Sequence, residues 1–113
     1  MKRVEVPTYT VTIYVGGEIE HARVAARQYC DFVGLCVTVT ATEYHYTNGD
    51  TKGVAVGLIN YGRFPSTPEM IFALAEDLAV ELIEACHQDS ASIVATDRTV
   101  WLSKRPDDPP REI

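Results

Sequence analysis

Leu58-Ile59-Asn60-Tyr61-Gly62-Arg63-Phe64-Pro65-Ser66-Thr67-Pro68 is the stretch where an apolar β-type run, a decorated loop and a helix start meet. Behind it, Val54, Val56 and Leu58 recur at period two, the spacing of the inward face of a strand. Ahead of it, Ser66-x-x-Glu69 reads as a capping box, and Pro68 suits a first helical turn, where its missing N–H removes a donor that has no partner anyway. Ile71, Leu74, Ala75, Leu78, Leu82 and Ala85 then make an apolar stripe, with Glu76, Asp77, Glu81 and Glu84 facing away, until the pattern stops near His87. The second half of the chain is thus anchored as strand, loop, helix.

Upstream, Thr8 to Val15 alternates, with Tyr9, Val11, Ile13 and Val15 on one face and Thr8, Thr10, Thr12 and Tyr14 on the other. Gly16-Gly17 ends this first strand. Ile19, Ala22, Ala26, Cys30 and Val33 recur at helical spacing up to Gly34, which stands where a C′ glycine belongs, so a helix is predicted over Glu18 to Val33. A long second strand follows, Leu35, Val37, Val39 and Ala41 alternating with Cys36, Thr38, Thr40, Thr42, Tyr44 and Tyr46. Asn48-Gly49, with Gly53 close behind, supplies the hairpin into the third strand. Beyond the second helix, Ser92 to Ala95 and Thr99 to Leu102 flank Thr96-Asp97-Arg98 and form either one bent strand or a terminal hairpin.

The order β-α-β-β-α-β is that of the ferredoxin-like α+β sandwich, an antiparallel sheet with two helices on one face. Residues 1–103 are expected to form a single domain and residues 104–113, with three prolines and several charges, a disordered tail. The uncovered face is predicted to carry Thr10, Thr12, Tyr14, Thr38, Thr40, Thr42, Tyr44, Ala55, Gly57, Ile59 and Tyr61. That surface is too threonine-rich for a core and too apolar for bare solvent. Sheet-to-sheet homo-oligomerisation is the expected cover.

At 113 residues and 46% hydrophobic, the chain can bury roughly 65% of its unfolded surface in one core. The odd cysteine count (Cys30, Cys36, Cys86), the lack of a secretory apolar region before Tyr9 and the lack of an 18-residue apolar run point to a reduced cytoplasmic protein with no membrane partner. A net charge of −6 with scattered basic residues disfavours duplex nucleic acid.

Several constellations of reactive residues have plainer readings. The three cysteines and His87 match no recurrent zinc spacing and read as buried structural thiols, so no metal and no cofactor are expected. His21, His45 and His87 have no catalytic signature around them, and no catalytic residue is assigned. Gly16-Gly17 lacks the further glycine and lysine of a phosphate loop, and Glu18 adds the wrong charge. Arg63 and Arg98 remain, each in a predicted turn with ring or hydroxyl neighbours: Asn60, Tyr61 and Phe64 near one, Thr96, Thr99 and Trp101 near the other. An arginine fork binds carboxylate or phosphate bidentately and stacks on rings. The plainer alternative is a surface pair, Arg63 with a glutamate or Arg98 with Asp97.

The runs Gly57-Leu58-Ile59-Asn60-Tyr61-Gly62-Arg63-Phe64-Pro65 and Asp97-Arg98-Thr99-Val100-Trp101-Leu102-Ser103 resemble those of small proteins encoded by tailed phages and prophages. No motif in them has a known chemical role, so no functional residue is carried over. In size and oligomeric habit the chain is also similar to phage sponges of the Thoeris anti-defence type. That resemblance implies a homo-oligomer in the host cytoplasm that sequesters a small anionic, nucleotide-derived ligand without turnover; the alternatives are a structural or protein-binding module that uses the open sheet face and a small enzyme of the same fold.

Overall fold

The computed structural model describes residues 1–107 and 109. Its elements are β1 (Thr10–Gly16), α1 (Ile19–Val33), β2 (Thr38–Tyr46), β3 (Gly49–Ile59), α2 (Pro68–Ala85), β4 (Ser90–Ala95) and β5 (Thr99–Ser103). The strands form one sheet in the order β2-β3-β1-β4-β5, every neighbouring pair antiparallel. The first four strands have the ferredoxin-like split-βαβ arrangement. The choice left open for residues 92–102 resolves as a hairpin, which adds β5 as a fifth, edge strand.

The local signals explain most boundaries. Gly34 takes the left-handed conformation at φ 73°, its N–H donating to the Cys30 carbonyl, and stops α1. Asn48, at φ 64°, makes the turn between β2 and β3. The cap of α2 lies one residue beyond the capping-box reading: the Thr67 hydroxyl accepts the Met70 N–H at 3.1 Å with Pro68 as the first helical residue. Ser66 is diverted because its own N–H is held by the Asn60 side chain. Strand β2 begins at Thr38, so Leu35, Cys36 and Val37 are connection, and β3 begins at Gly49, well before Val54.

The core lies between the sheet and the helices. Val11, Ile13, Val15, Val54, Val56, Leu58 and Ile93 meet Ile71, Phe72, Ala75, Leu78, Leu82 and Ile83 of α2, each of the larger side chains contributing about 1.5–3 kcal/mol by burial. Helix α1 buries only Ala22, Ala25 and Ala26, so it packs closely but covers little. Edge strand β2 and the connection before it are correspondingly underpacked, with Val37 and Val39 half-buried and Ala41 exposed. Of the thiols expected to be buried, Cys86 is, Cys30 is half-buried and Cys36 is exposed, because Cys36 falls in the α1–β2 connection and not in a strand.

Past β5, the Lys104 N–H donates to the Asp89 carbonyl at 2.8 Å, and the Lys104 ammonium meets Glu84 at 3.1 Å. The expectation of a disordered tail falls also on Asp108 and residues 110–113, which lie outside the described residues.

Candidate functional site

The loop from Asn60 to Phe64 leaves β3 and is fixed by one side chain used twice. The Asn60 amide nitrogen donates to the Pro7 carbonyl at 2.8 Å, and its oxygen accepts the Ser66 N–H at 2.9 Å. Its backbone N–H meets the Tyr9 carbonyl, and the Phe64 N–H returns to Tyr61 O at 3.1 Å, closing a tight turn. On this frame the rings of Tyr61 and Phe64 lie 5.0 Å apart with planes inclined by 33°, and Phe64 is half exposed. Arg63, between them in sequence, is exposed and has no ion-pair partner among the described residues. Hydrogen bonding with the Cys36 thiol, then burial, then the electrostatic influence of Cys36 and Cys30, push the Tyr61 hydroxyl up to about 12.

Arg98 has a different setting. Its guanidinium carbon lies 3.6 Å from the centroid of Phe72, a buried ring in the first turns of α2. Asp97 is not its partner, since that carboxylate accepts from the Tyr9 hydroxyl at 2.8 Å. Burial first, and then Asp97, raise the Tyr9 hydroxyl, while Arg98 opposes them. The Thr96 hydroxyl accepts the Thr10 N–H at 2.8 Å and completes the tie of the β4–β5 turn to β1.

The predicted ligand-binding residues therefore fall into three places. Asn60, Tyr61, Arg63 and Phe64 share one loop. Arg98 lies at the same end of the sheet, because Thr10 pairs with Ile59 on one side and bonds Thr96 on the other, but it has no hydrogen-bond or ring partner in common with Arg63. Thr99 and Trp101 stand on the open face of β5, opposite Val94 and Ser92, with Trp101 42% exposed.

The open face is as threonine- and tyrosine-rich as the alternation predicts. Thr40, Ala55, Tyr14, Ser92 and Trp101 form one row across all five strands. Beside that row, between Tyr14, Tyr44 and Tyr46 on one side and Ser90 and Ser92 on the other, is a hollow of about 310 Å³. Sequence reading marks these tyrosines but misses the hollow, whose lining joins Gly16 of β1 to residues of β2, β3 and β4 that no local pattern brings together.

Among the described residues no group of three or more His, Cys, Asp or Glu side chains is gathered to hold a metal ion. His21 and His87 meet edge to face at 5.7 Å, away from both arginines in sequence and topology. Among the described residues no helix is long and apolar enough to cross a membrane.

A ferredoxin-like sandwich with a fixed aromatic loop at one end of its sheet and an uncovered tyrosine face is the class that these features define. No family model matches the chain, and no curated protein matches it. Two solved structures share the fold over nearly the whole of both chains. A phage SAM lyase in complex with S-methyl-5′-thioadenosine superposes with a TM-score of 0.73 at 15% identity, covering 96% of this chain and 98% of that one. A phage SAM lyase in the apo state gives 0.76 at 14% identity with the same coverage.

Proposed function

We propose that the protein is a phage-encoded binder of a small nucleotide-derived ligand, held at the Asn60–Phe64 loop without turnover and acting as a homo-oligomer in the host cytoplasm. The observation that carries this reading is an exposed Arg63, without an ion-pair partner among the described residues, on a loop that Asn60 clamps at both ends, beside the Tyr61–Phe64 ring pair. Rings supply stacking for a base and the guanidinium takes an anionic group, while the clamp removes most of the ordering cost. Arg98 is the weaker member of the set because Phe72 already occupies it. Thr99 and Trp101 belong to the face expected to meet another copy.

A second reading, an S-adenosylmethionine lyase, is favoured by the fold shared with the phage lyases. A sulfonium substrate is also compatible with a chain of net charge −6, and it leaves as a neutral thioether that needs no acid to depart. Calorimetric titration with mononucleotides, cyclic dinucleotides, ADP-ribose derivatives, S-adenosylmethionine and S-methyl-5′-thioadenosine, followed by mass analysis of the recovered ligand, separates the two. The binder reading expects an unaltered ligand, with affinity lost in Arg63→Ala. Release of S-methyl-5′-thioadenosine from S-adenosylmethionine replaces it with the lyase. For the assembly, light scattering at micromolar concentration should report more than one chain mass, and Thr40→Lys should reduce it; a single chain mass for the parent protein rules the homo-oligomer out.

A further inference from the structure

At the base of the hollow on the open face lies Gly16, which contributes no side chain. Gly16 and Gly53 face each other across β1 and β3, and what covers them comes from elsewhere. The Tyr44 ring is laid so closely over Gly53 that a Cβ there would sit 2.0 Å from its Cε2. The Gln88 amide lies over Gly16, its Oε1 2.8 Å from where a Cβ would be. Both are anchored: the Tyr44 hydroxyl donates to the Val54 carbonyl at 2.9 Å, and Gln88 Nε2 donates to the Cys86 carbonyl at 3.0 Å. Tyr46 repeats the arrangement over Gly49, its hydroxyl 3.4 Å from the Asp50 carbonyl.

These anchors determine which parts of the side chains remain for a ligand. The hydroxyl hydrogens of Tyr44 and Tyr46 are committed to backbone carbonyls, leaving ring faces and hydroxyl lone pairs, and Gln88, with one Nε2 hydrogen held by the Cys86 carbonyl, keeps Oε1 as an acceptor and a second Nε2 hydrogen as a donor. Ser90 and Ser92 add hydroxyls on the opposite wall, and among the described residues no Lys, Arg, Asp or Glu lines the hollow. Ordering entropy that a mobile site loses on binding is here lost on folding. A phosphate would find no cation, whereas a flat uncharged ring would find a stacking surface beside a hydrogen-bond acceptor.

We propose that this hollow binds an uncharged aminopurine ring, as a base or a phosphate-free nucleoside, stacked on Tyr44 with its exocyclic amino group donating to Gln88 Oε1. The amide of glutamine reads the amino edge of adenine in the same donor–acceptor sense elsewhere in protein chemistry. The site is distinct from the Arg63 loop and does not depend on what that loop binds.

Titration of the full chain with adenosine and with purine riboside, which lacks the amino group, tests this by the ring-proton NMR signals of Tyr44, Tyr46, Tyr61 and Phe64. Adenosine should bind at about millimolar or tighter, perturb Tyr44 and Tyr46 and leave Tyr61 and Phe64 unmoved. Purine riboside should bind roughly tenfold more weakly, and Gln88→Leu should erase that difference. Ser92→Trp, which fills the hollow from its wall, should abolish binding while the circular dichroism stays that of the folded parent. Arg63→Ala should leave adenosine binding as it was, so the result is separable from the fate of the loop reading. Absence of adenosine binding, equal affinity for the two nucleosides, or shifts confined to Tyr61 and Phe64 would each overturn the proposal.

Discussion

Arg63 and Arg98 read alike in sequence, each a lone guanidinium in a turn beside rings, yet the fold treats them in opposite ways. Arg98 is folded back over Phe72 at 3.6 Å, in a turn tied to the N-terminal strand through Tyr9, Asp97 and Thr96. Arg63 is left in solvent while its neighbours are clamped around it. The difference lies in partners that are distant in sequence. Tyr9 reaches Asp97 across 88 positions. A cation held over a core ring stabilises the fold, whereas one held out by a rigid loop is available to something else.

The contrast can be broken most severely at Phe72. Truncating this fully buried ring in Phe72→Ala removes core volume together with the surface on which Arg98 rests, and should cost about 3–5 kcal/mol of unfolding free energy in urea melts. A loss below about 1 kcal/mol would show that the ring is not the keystone of this end of the sheet. Next in size, Arg63→Ala should weaken a bound nucleotide-type ligand by about 1.5–3 kcal/mol, as for hydrogen bonds to a charged group. Its stability should stay within about 0.5 kcal/mol of the parent. Arg98→Ala should do the reverse, lowering stability by about 0.5–1 kcal/mol, the range of an exposed cation over a ring, with a smaller effect on ligand. Equal stability losses in the two variants would erase the distinction.

What was legible in sequence follows the same division between local and distant causes. The βαββαβ order, the α1 stop at Gly34, the Asn48 turn and the inward faces of β1 and β3 are set by neighbours within a few residues, and period and turn chemistry report them. The open tyrosine and threonine face followed from the same alternation. The helix cap was misplaced by one residue because Ser66 and Thr67 are equivalent as caps until Asn60, six residues earlier, takes the Ser66 N–H. The terminal hairpin was ambiguous because both of its segments are short, and its registry is set by pairing of β4 with β1. At the candidate site the loop residues were recognisable by type, but the grip of Arg98 on Phe72 and the glycine-floored hollow arise from packing between segments that no window of sequence contains.

The effect confined to the narrowest range of conditions is a change with pH, and it concerns the Arg63 side of the comparison. Tyr61 has its hydroxyl raised from 10.0 to about 12, first through the Cys36 thiol and then by burial. The folded protein therefore prefers the neutral phenol more strongly than the unfolded chain does. The resulting contribution to stability is fully present below pH 10.0 and is lost as pH rises from there through about 12, because the unfolded chain ionises first. An alkaline titration followed by the ring carbon resonance of Tyr61 should thus place its midpoint well above the ordinary tyrosine range. Since the leading cause is the contact with Cys36, Cys36→Ala should bring the midpoint down toward 10.0 while leaving Phe72 and Arg98 in contact. A Tyr61 midpoint near 10.0 in the parent protein, or one that Cys36→Ala fails to lower, would mean that the loop is not held against the α1–β2 connection in solution. The preorganised ring pair beside Arg63 would then lose one of its supports.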